Sequence, residues 1–207
     1  MINDRHGASF AQNVSRETLA RFEVYAGLLQ KWNKQINLVS RKSLDDLWAR
    51  HFLDSAQIWD LRESHQKKWL DLGSGGGFPG AVIAILAAED GSVDVTLVES
   101  DRRKAAFLRE VSRHTEARFD VVAERIEELP PMGADVVSAR ALAPLSELLG
   151  HAAVHGSGHV VGIFLKGARV QEEIDEAKKD WHFNCERRTS VTDTSASILK
   201  VWGMTRV

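Results

Sequence analysis

Cysteine is nearly absent. Cys185 is the only one in 207 residues. No disulfide can form within such a chain, and no cysteine-based metal site can be built, which suits a reducing cytosol. No metal is expected. An excess of charge of one sign is also missing: 27 Lys and Arg face 29 Asp and Glu, a net charge of -2. A strongly basic chain would point to nucleic acid by its bulk charge. Here any such contact has to come from local clusters, and Arg41-Lys42, Arg102-Arg103-Lys104, Lys178-Lys179 and Arg187-Arg188 are the candidates, each also readable as a solvated face. Long apolar runs are lacking too. The longest, Ala81 to Ala88, reads as a buried helix and falls far short of the roughly 18 residues a membrane span requires. Met1 to Phe10 is polar and carries no apolar signal core. These absences lead to an expectation of a cytoplasmic protein that does not enter membranes.

What is present is ordinary globular material. At 43% hydrophobic the chain can fill a complete core. Its length suits one large domain, or one domain with an appendage. Residues 1–14 have no periodicity and read as loose. Leu19, Phe22, Ala26, Leu29 and Trp32 recur at helical spacing and predict a helix over Arg16 to Asn33, with Ser15 as its N-cap. Ser43 with Asp46 resembles a capping box for a second helix, and Phe52 to Leu61 reads as a third. Residues 1–65 are thus expected to form a helical region.

From Lys68 the pattern changes to strands alternating with helices. Strands are expected at Trp69–Leu72, Val93–Val98, Phe119–Ala123, Asp135–Ser138 and Val160–Leu165. Helices are expected at Pro79–Glu89, Arg102–His114, Pro144–Val154 and Val170–Asp180. Such alternation implies right-handed crossovers and a mostly parallel sheet over residues 66–207. Two late strands, Phe183–Val191 and Ile198–Trp202, have no helix between them and are expected to pair as an antiparallel hairpin.

The stretch that carries chemistry is Asp71-Leu72-Gly73-Ser74-Gly75-Gly76-Gly77-Phe78-Pro79-Gly80. It follows a strand and opens a helix. Glycine permits positive φ and a close approach of ligand to backbone, and the helix start offers free amides. Glu99 ends the next strand, where a carboxylate can take both ribose hydroxyls of an adenosine cofactor. Gly75, Gly77 and Gly80 also satisfy the dinucleotide pattern, a weak signal alone. Asp71 favours S-adenosylmethionine, because a carboxylate there suits a cationic cofactor and repels a pyrophosphate. The closing hairpin favours it too, since it resembles the antiparallel last strand of class I methyltransferases. Ile126-Glu127, after the third strand, is where such enzymes meet the adenine. Arg140, after the fourth, can pair with the cofactor carboxylate or a substrate phosphate. Readings as another class I methyltransferase, as an NAD-type oxidoreductase or as a non-catalytic RNA-binding factor remain open on these residues.

Absent motifs narrow the methyl acceptor. The fourth strand ends Ser138-Ala139-Arg140, without the Asn/Asp-Pro-Pro-aromatic loop that orients exocyclic amines. Carbon-5 methylation of pyrimidines needs a cysteine nucleophile, and Cys185 sits in a late strand. Ring nitrogens and oxygens remain. Guanine N7 has an accessible lone pair and requires no general base, so alignment alone can serve.

The residues also resemble a known family. Trp32 to Leu38, Arg50-His51-Phe52-Leu53-Asp54-Ser55, Asp71 to Gly80, Leu97 to Ser100, Arg103-Lys104, Phe107-Leu108, Arg140 to Ala143 and Leu165-Lys166-Gly167 are similar to the ribosomal RNA small subunit methyltransferase G family, also called glucose-inhibited division protein B. The family commonly has serine and arginine adjacent, whereas Ala139 separates Ser138 from Arg140 here. The resemblance covers nearly the whole chain. It implies a class I Rossmann-like α/β fold with a seven-stranded sheet behind helices. It also implies methylation of N7 of guanine 527 in bacterial 16S rRNA. By the same resemblance Gly73, Phe78, Ile126, Glu127 and Arg140 contact the cofactor and Glu99 its ribose, with Asp71, Gly75 and Gly77 in the same loop. Lys166 and Arg140 are expected to steady the RNA phosphate or the flipped base. Arg50 and His51 are open between such contacts and, for His51, a buried structural role. The small ribosomal subunit is the expected partner, and the protein is expected to be a monomer.

Overall fold

The computed structural model describes residue 10 and residues 14–207. The loose segment expected at residues 1–14 lies almost wholly outside them. Helix α1 (Arg16–Trp32) begins where Ser15 Oγ accepts from Thr18 N at 3.1 Å. Its buried face is Thr18, Phe22, Tyr25 and Leu29, while Leu19, Ala26 and Trp32 are half-buried. The stripe is therefore turned slightly from the expected one, because Tyr25 goes inward. Asn33 then shapes the exit: its Oδ1 accepts from Leu38 N and Val39 N.

Two expectations in this region are corrected. The second helix, α2 (Arg41–Leu44), is capped by Ser40 rather than Ser43. The Ser43 hydroxyl donates back to Ser40 O at 2.9 Å and is not available for the Ser43–Asp46 box. The third helix is not continuous. A π-helical turn (Trp48–Leu53) leads into a short α3 (Asp54–Ala56) and a 3-10 turn (Trp59–Leu61). The wider π turn brings both His51 and Phe52 to the inside.

The sheet has seven strands: β1 (Lys68–Leu72), β2 (Asp94–Val98), β3 (Asp120–Val122), β4 (Ala134–Arg140), β5 (Gly156–Lys166), β6 (Trp181–Thr189) and β7 (Ser197–Arg206). Their order is β3-β2-β1-β4-β5-β7-β6. β1 to β5 pair in parallel, and β7 runs antiparallel to both β5 and β6. The expected hairpin is present. Cys185 lies exposed on the edge strand β6. The crossovers are α4 (Gly80–Ala87), α5 (Arg102–Thr115), α6 (Leu145–His155) and α7 (Val170–Ala177). Strand order reverses between β1 and β4, which opens a crevice beyond their carboxyl ends.

Successive side chains along β1 point to opposite faces. Trp69 joins a core with Phe22, Tyr25, Leu29, Phe78, Ile83 and Phe107, so the helical region and the sheet share one apolar interior across residue 65. Leu70 and Leu72 join a second core with residues of α6 and α7. Asp71 shares Trp69's face and is fully buried. Its Oδ1 accepts from Ser138 Oγ at 2.6 Å, and Trp69 Nε1 donates to the same hydroxyl at 2.8 Å. Its Oδ2 faces Gly80, where an added Cβ would stand 2.6 Å away. Burial raises the Asp71 carboxyl from 3.8 to about 6, opposed by Ser138, Ser74, the Gly80 amide and Arg140.

The shared core makes a cooperative prediction. Phe22→Ala should lower unfolding free energy by about 3–5 kcal/mol, in a single urea transition seen alike by far-ultraviolet circular dichroism and tryptophan fluorescence. The buried carboxyl makes a pH prediction. Folded Asp71 holds its proton more tightly than the unfolded chain does, so its contribution favours folding below pH 3.8 and is lost as pH rises to about 6. Relative to Asp71→Asn, the unmodified protein should lose stability across that window and run parallel above it, as read by denaturation midpoints at stepped pH.

Candidate functional site

The turn between β1 and α4 is the centre of the site. Gly73, Gly75 and Gly77 all have positive φ, at 63°, 56° and 93°. Each glycine meets something different. Gly77 is closed off by the Tyr25 hydroxyl and Ala81, Gly76 by Leu38 and Phe78, and Gly73 by the Leu142 side chain. Among the described residues Gly75 has only the turn's own Gly73 O nearby, at 3.8 Å. Its face is the open one. Tyr25 also donates its hydroxyl proton to Gly76 O.

Glu99 stands beside that open face. It follows β2 and is buried, 7% exposed. Its Oε2 accepts from Gly75 N and its Oε1 from Asp101 N, both at 2.8 Å. A carboxylate has about four lone-pair sites, so two remain for ribose hydroxyls. A glycine without a covered face next to a carboxylate with spare acceptors fits an adenosine cofactor.

Arg140, at the end of β4, forms the other half. Its guanidinium lies 4.9 Å over the Phe78 ring, and Nη2 donates to His51 Nδ1 at 2.8 Å. Arginine has no acceptor, so His51 Nδ1 accepts and the proton resides on Nε2. Burial, then Arg140, then Arg50 hold His51 down at about 3, so the ring is neutral. It stacks on Phe78 at 4.6 Å, and Phe78 stacks on Tyr25 at 5.5 Å. Arg140 Nη1 reaches Arg50 O at 3.3 Å and Asp54 Oδ2 at 3.5 Å. Burial lowers the Arg140 pKa and Asp54 opposes this most. Asp54 Oδ1 meanwhile accepts from Gln57, Ser190 and Thr192, which ties the β6–β7 turn to the helical region.

Beyond Arg140 opens a cleft of about 830 Å³. Arg50, His51, Asp54, Leu142, Lys166 and Glu173 are among its walls. It lies at the carboxyl ends of β4 and β5, next to the glycine turn.

The structure thus brings together Gly73, Gly75, Gly77, Glu99 and Arg140. Other expected residues stand elsewhere. Asp71 is beneath the turn, under α4, because its strand face points that way; it supports the loop instead of facing a ligand. Phe78 is 3% exposed between two rings and acts as a platform for Arg140. Ile126 is buried in the second core, while Glu127 is exposed 3.7 Å from Arg125. Lys166 does not extend free into the cleft: Nζ donates to Ala143 O at 2.7 Å and to Glu173 Oε2 at 2.6 Å. His51 is the buried, hydrogen-bonded residue of its two readings, and Arg50 is exposed at the cleft. Tyr25, Asp54, Leu142 and Glu173 were not expected at the site. Tyr25 stands three residues after Phe22 and four before Leu29, a spacing that marks it for the interior; the other three carry no local signal.

Comparison with known proteins places this arrangement. Residues 18–201 match the family described as "GidB: rRNA small subunit methyltransferase G". A ribosomal RNA small subunit methyltransferase G of Ruegeria sp. (strain TM1040) is 51% identical over 196 residues, covering 94% of this chain and 95% of its own. One from Cereibacter sphaeroides (strain ATCC 17025) is 48% identical over 208 residues, covering all of both chains. Among solved structures, a SAM dependent methyltransferase from Aquifex aeolicus superposes with a TM-score of 0.56 at 12% identity, covering 80% of this chain and 98% of that one. An O-methyltransferase from Bacillus cereus in complex with SAH gives 0.54 at 11% identity and 91% of both. The structural likenesses show the class I methyltransferase fold, and the sequence likenesses go further. The chain belongs to the rRNA small subunit methyltransferase G family.

Proposed function

We propose that this protein transfers a methyl group from S-adenosylmethionine to N7 of a guanine in small-subunit ribosomal RNA, guanine 527 of 16S rRNA by the family's pattern. The observation that carries the reading is the Glu99 carboxylate bound to the amide of Gly75, the uncovered glycine of the turn, with Leu142 between that turn and an adjacent cleft that Arg140 also lines. The cofactor, when bound, supplies an electrophilic methyl on a sulfonium. Glu99 would take the ribose hydroxyls. Gly75 would let the cofactor lie close to the backbone, in a turn whose shape the positive φ of Gly73 and Gly77 permits. Ile126 and Glu127 would border the adenine. Arg140 would hold the cofactor carboxylate or a phosphate of the RNA, with its guanidinium aimed by Phe78, His51 and Asp54.

The N7 acceptor agrees with how His51, Asp54 and Lys166 are engaged. The His51 imidazole has committed Nδ1 to Arg140 and is held neutral with its proton on Nε2. Asp54 accepts from several donors already, and Lys166 is engaged by Ala143 and Glu173. None of these is placed to remove a proton. A nucleophile with a free lone pair at neutral pH, such as guanine N7, needs no such group.

We infer a monomer acting in the cytoplasm on the small subunit. No helix among the described residues is long and apolar enough to cross a membrane. The large exposed apolar side chains include Val24 on α1, Val154 on α6 and Trp202 on β7.

Incubation with labelled S-adenosylmethionine and unmodified small subunits should place the label on one guanine, with the mass and N7 chemistry of 7-methylguanine on nucleotide mapping. Label on an exocyclic amine or another base would sink the N7 assignment. Glu99→Gln should weaken S-adenosylhomocysteine binding by about 10- to 100-fold in calorimetry, the loss expected for hydrogen bonds to a charged acceptor. Arg140→Ala should abolish transfer at limiting RNA while the fold, by circular dichroism, stays intact.

A further inference from the structure

The chain leaving β4 does not run straight into α6. Ala141 takes φ of 52°, in the left-handed region where a residue with a Cβ is uncommon. This hooks the chain back. Leu142 then lays its side chain on the glycine turn: a Cβ added at Gly73 would stand 2.5 Å from Leu142 Cδ1. Yet Leu142 remains 37% exposed and lines the cleft. One side chain therefore has the cofactor turn on one side and the acceptor cleft on the other.

The hook is held from behind. Lys166 Nζ donates to Ala143 O at 2.7 Å and to Glu173 Oε2 at 2.6 Å. The same Glu173 oxygen accepts from Leu145 N at 3.0 Å. Beyond their mutual bond, the hydrogen bonds of this pair end on the hook's backbone, at Ala143 and Leu145. The Lys166 side chain is 7% exposed, and a buried ammonium without its carboxylate is costly. An ion pair between a buried lysine and a half-buried glutamate thus fixes five residues next to the site.

We propose that Glu173, acting through Lys166, is a positioning residue for methyl transfer. The pair latches the hook Ala141–Leu145 over the glycine turn, and Leu142 forms the wall that sets the spacing between donor groove and acceptor cleft. The inference rests on the methyltransferase reading. Direct displacement requires the reacting atoms to meet at about 3–3.5 Å in line, and a misplacement near 1 Å costs on the order of 100-fold in rate. The cofactor's grip at Glu99 and Gly75 lies off the hook. Loosening the latch therefore acts on turnover and largely spares donor binding.

The test uses full-length protein with unmodified small subunits. Glu173→Ala should lower kcat by about 10- to 100-fold, with the Kd for S-adenosylhomocysteine and its KM counterpart changed by less than about threefold. Glu173→Gln, whose amide oxygen can still accept from Leu145 N, should recover part of the rate. Leu142→Ala, which leaves the latch intact, should reproduce the fall in kcat. Wild-type turnover in all three would overturn the proposal. So would a rise in the cofactor Kd that matches the loss of kcat, since the latch would then serve donor binding. If Glu173→Ala fails to fold, Glu173→Gln and Leu142→Ala decide the matter by the same split. An unmodified protein that binds S-adenosylhomocysteine but transfers no methyl would instead refute the methyltransferase reading, and the positioning role with it.

Discussion

A turn built of glycine cannot hold its own shape. It has no side chains to pack and loses more backbone entropy on folding than any other sequence. Here three groups from three elements impose the shape, and a fourth covers it. The Tyr25 hydroxyl of α1 binds Gly76 O, and Glu99 beyond β2 accepts from Gly75 N. Asp71 of β1 lies under Gly80, and Leu142 beyond β4 lies over Gly73. Only Gly75 keeps a free face. The site is thus a product of the whole fold, and the helical region is part of the site because α1 supplies Tyr25.

The same logic governs Arg140. A half-buried guanidinium at a strand end needs hydrogen-bond partners for its N–H groups, and a site that binds an anion needs those partners to leave it some charge. The structure offers a neutral imidazole, a backbone carbonyl, a ring face and one carboxylate at 3.5 Å. Asp54 is shared with Gln57, Ser190 and Thr192, so its negative charge is already spread over several donors. Arg140 keeps charge to offer an anion. Keeping His51 neutral is part of this: a second cation at that position would be repelled by Arg140, and the depressed His51 pKa expresses that repulsion together with burial.

Much of this was legible in the chain because strand–helix alternation has a strong period. The seven strands, the hairpin and the crossovers were all readable. Ends were less so. β5 begins at Gly156, four residues before its expected start, because Gly156, Ser157, Gly158 and His159 do not look like strand formers. β4 runs two residues past its expected end at Ser138, through Ala139 to Arg140. The broken segment from Trp48 to Leu61 was not legible, since a π turn followed by a 3-10 turn matches no single period. Within the site, Glu99 and the glycines could be read from position alone: a carboxylate at a strand end, a glycine run before a helix. Asp71 could not, because the residue type does not say which face of β1 it occupies. Alternation with Leu70 and Leu72 places it on Trp69's face, and there the ligand side is closed. Lys166 and Glu173 sit seven residues apart across a strand–helix boundary, and no local rule pairs them.

The distribution of charge in the cleft bears on what it can admit. Its lining mixes both signs: Arg50, Arg140, Lys166 and Arg169 stand with Asp54, Asp193 and, along α7, Glu172, Glu173 and Glu176. Of these, Lys166 engages Glu173 and Lys179 engages Glu176. A cleft meant only for phosphate would not be lined with carboxylates, which repel it. A base has both kinds of edge. Guanine presents acceptors at O6 and N7 and donors at N1 and N2. Its acceptor edge suits arginines and its donor edge suits carboxylates. A lining of mixed sign therefore suits a base better than a bare phosphate, and the N7 reading requires a base.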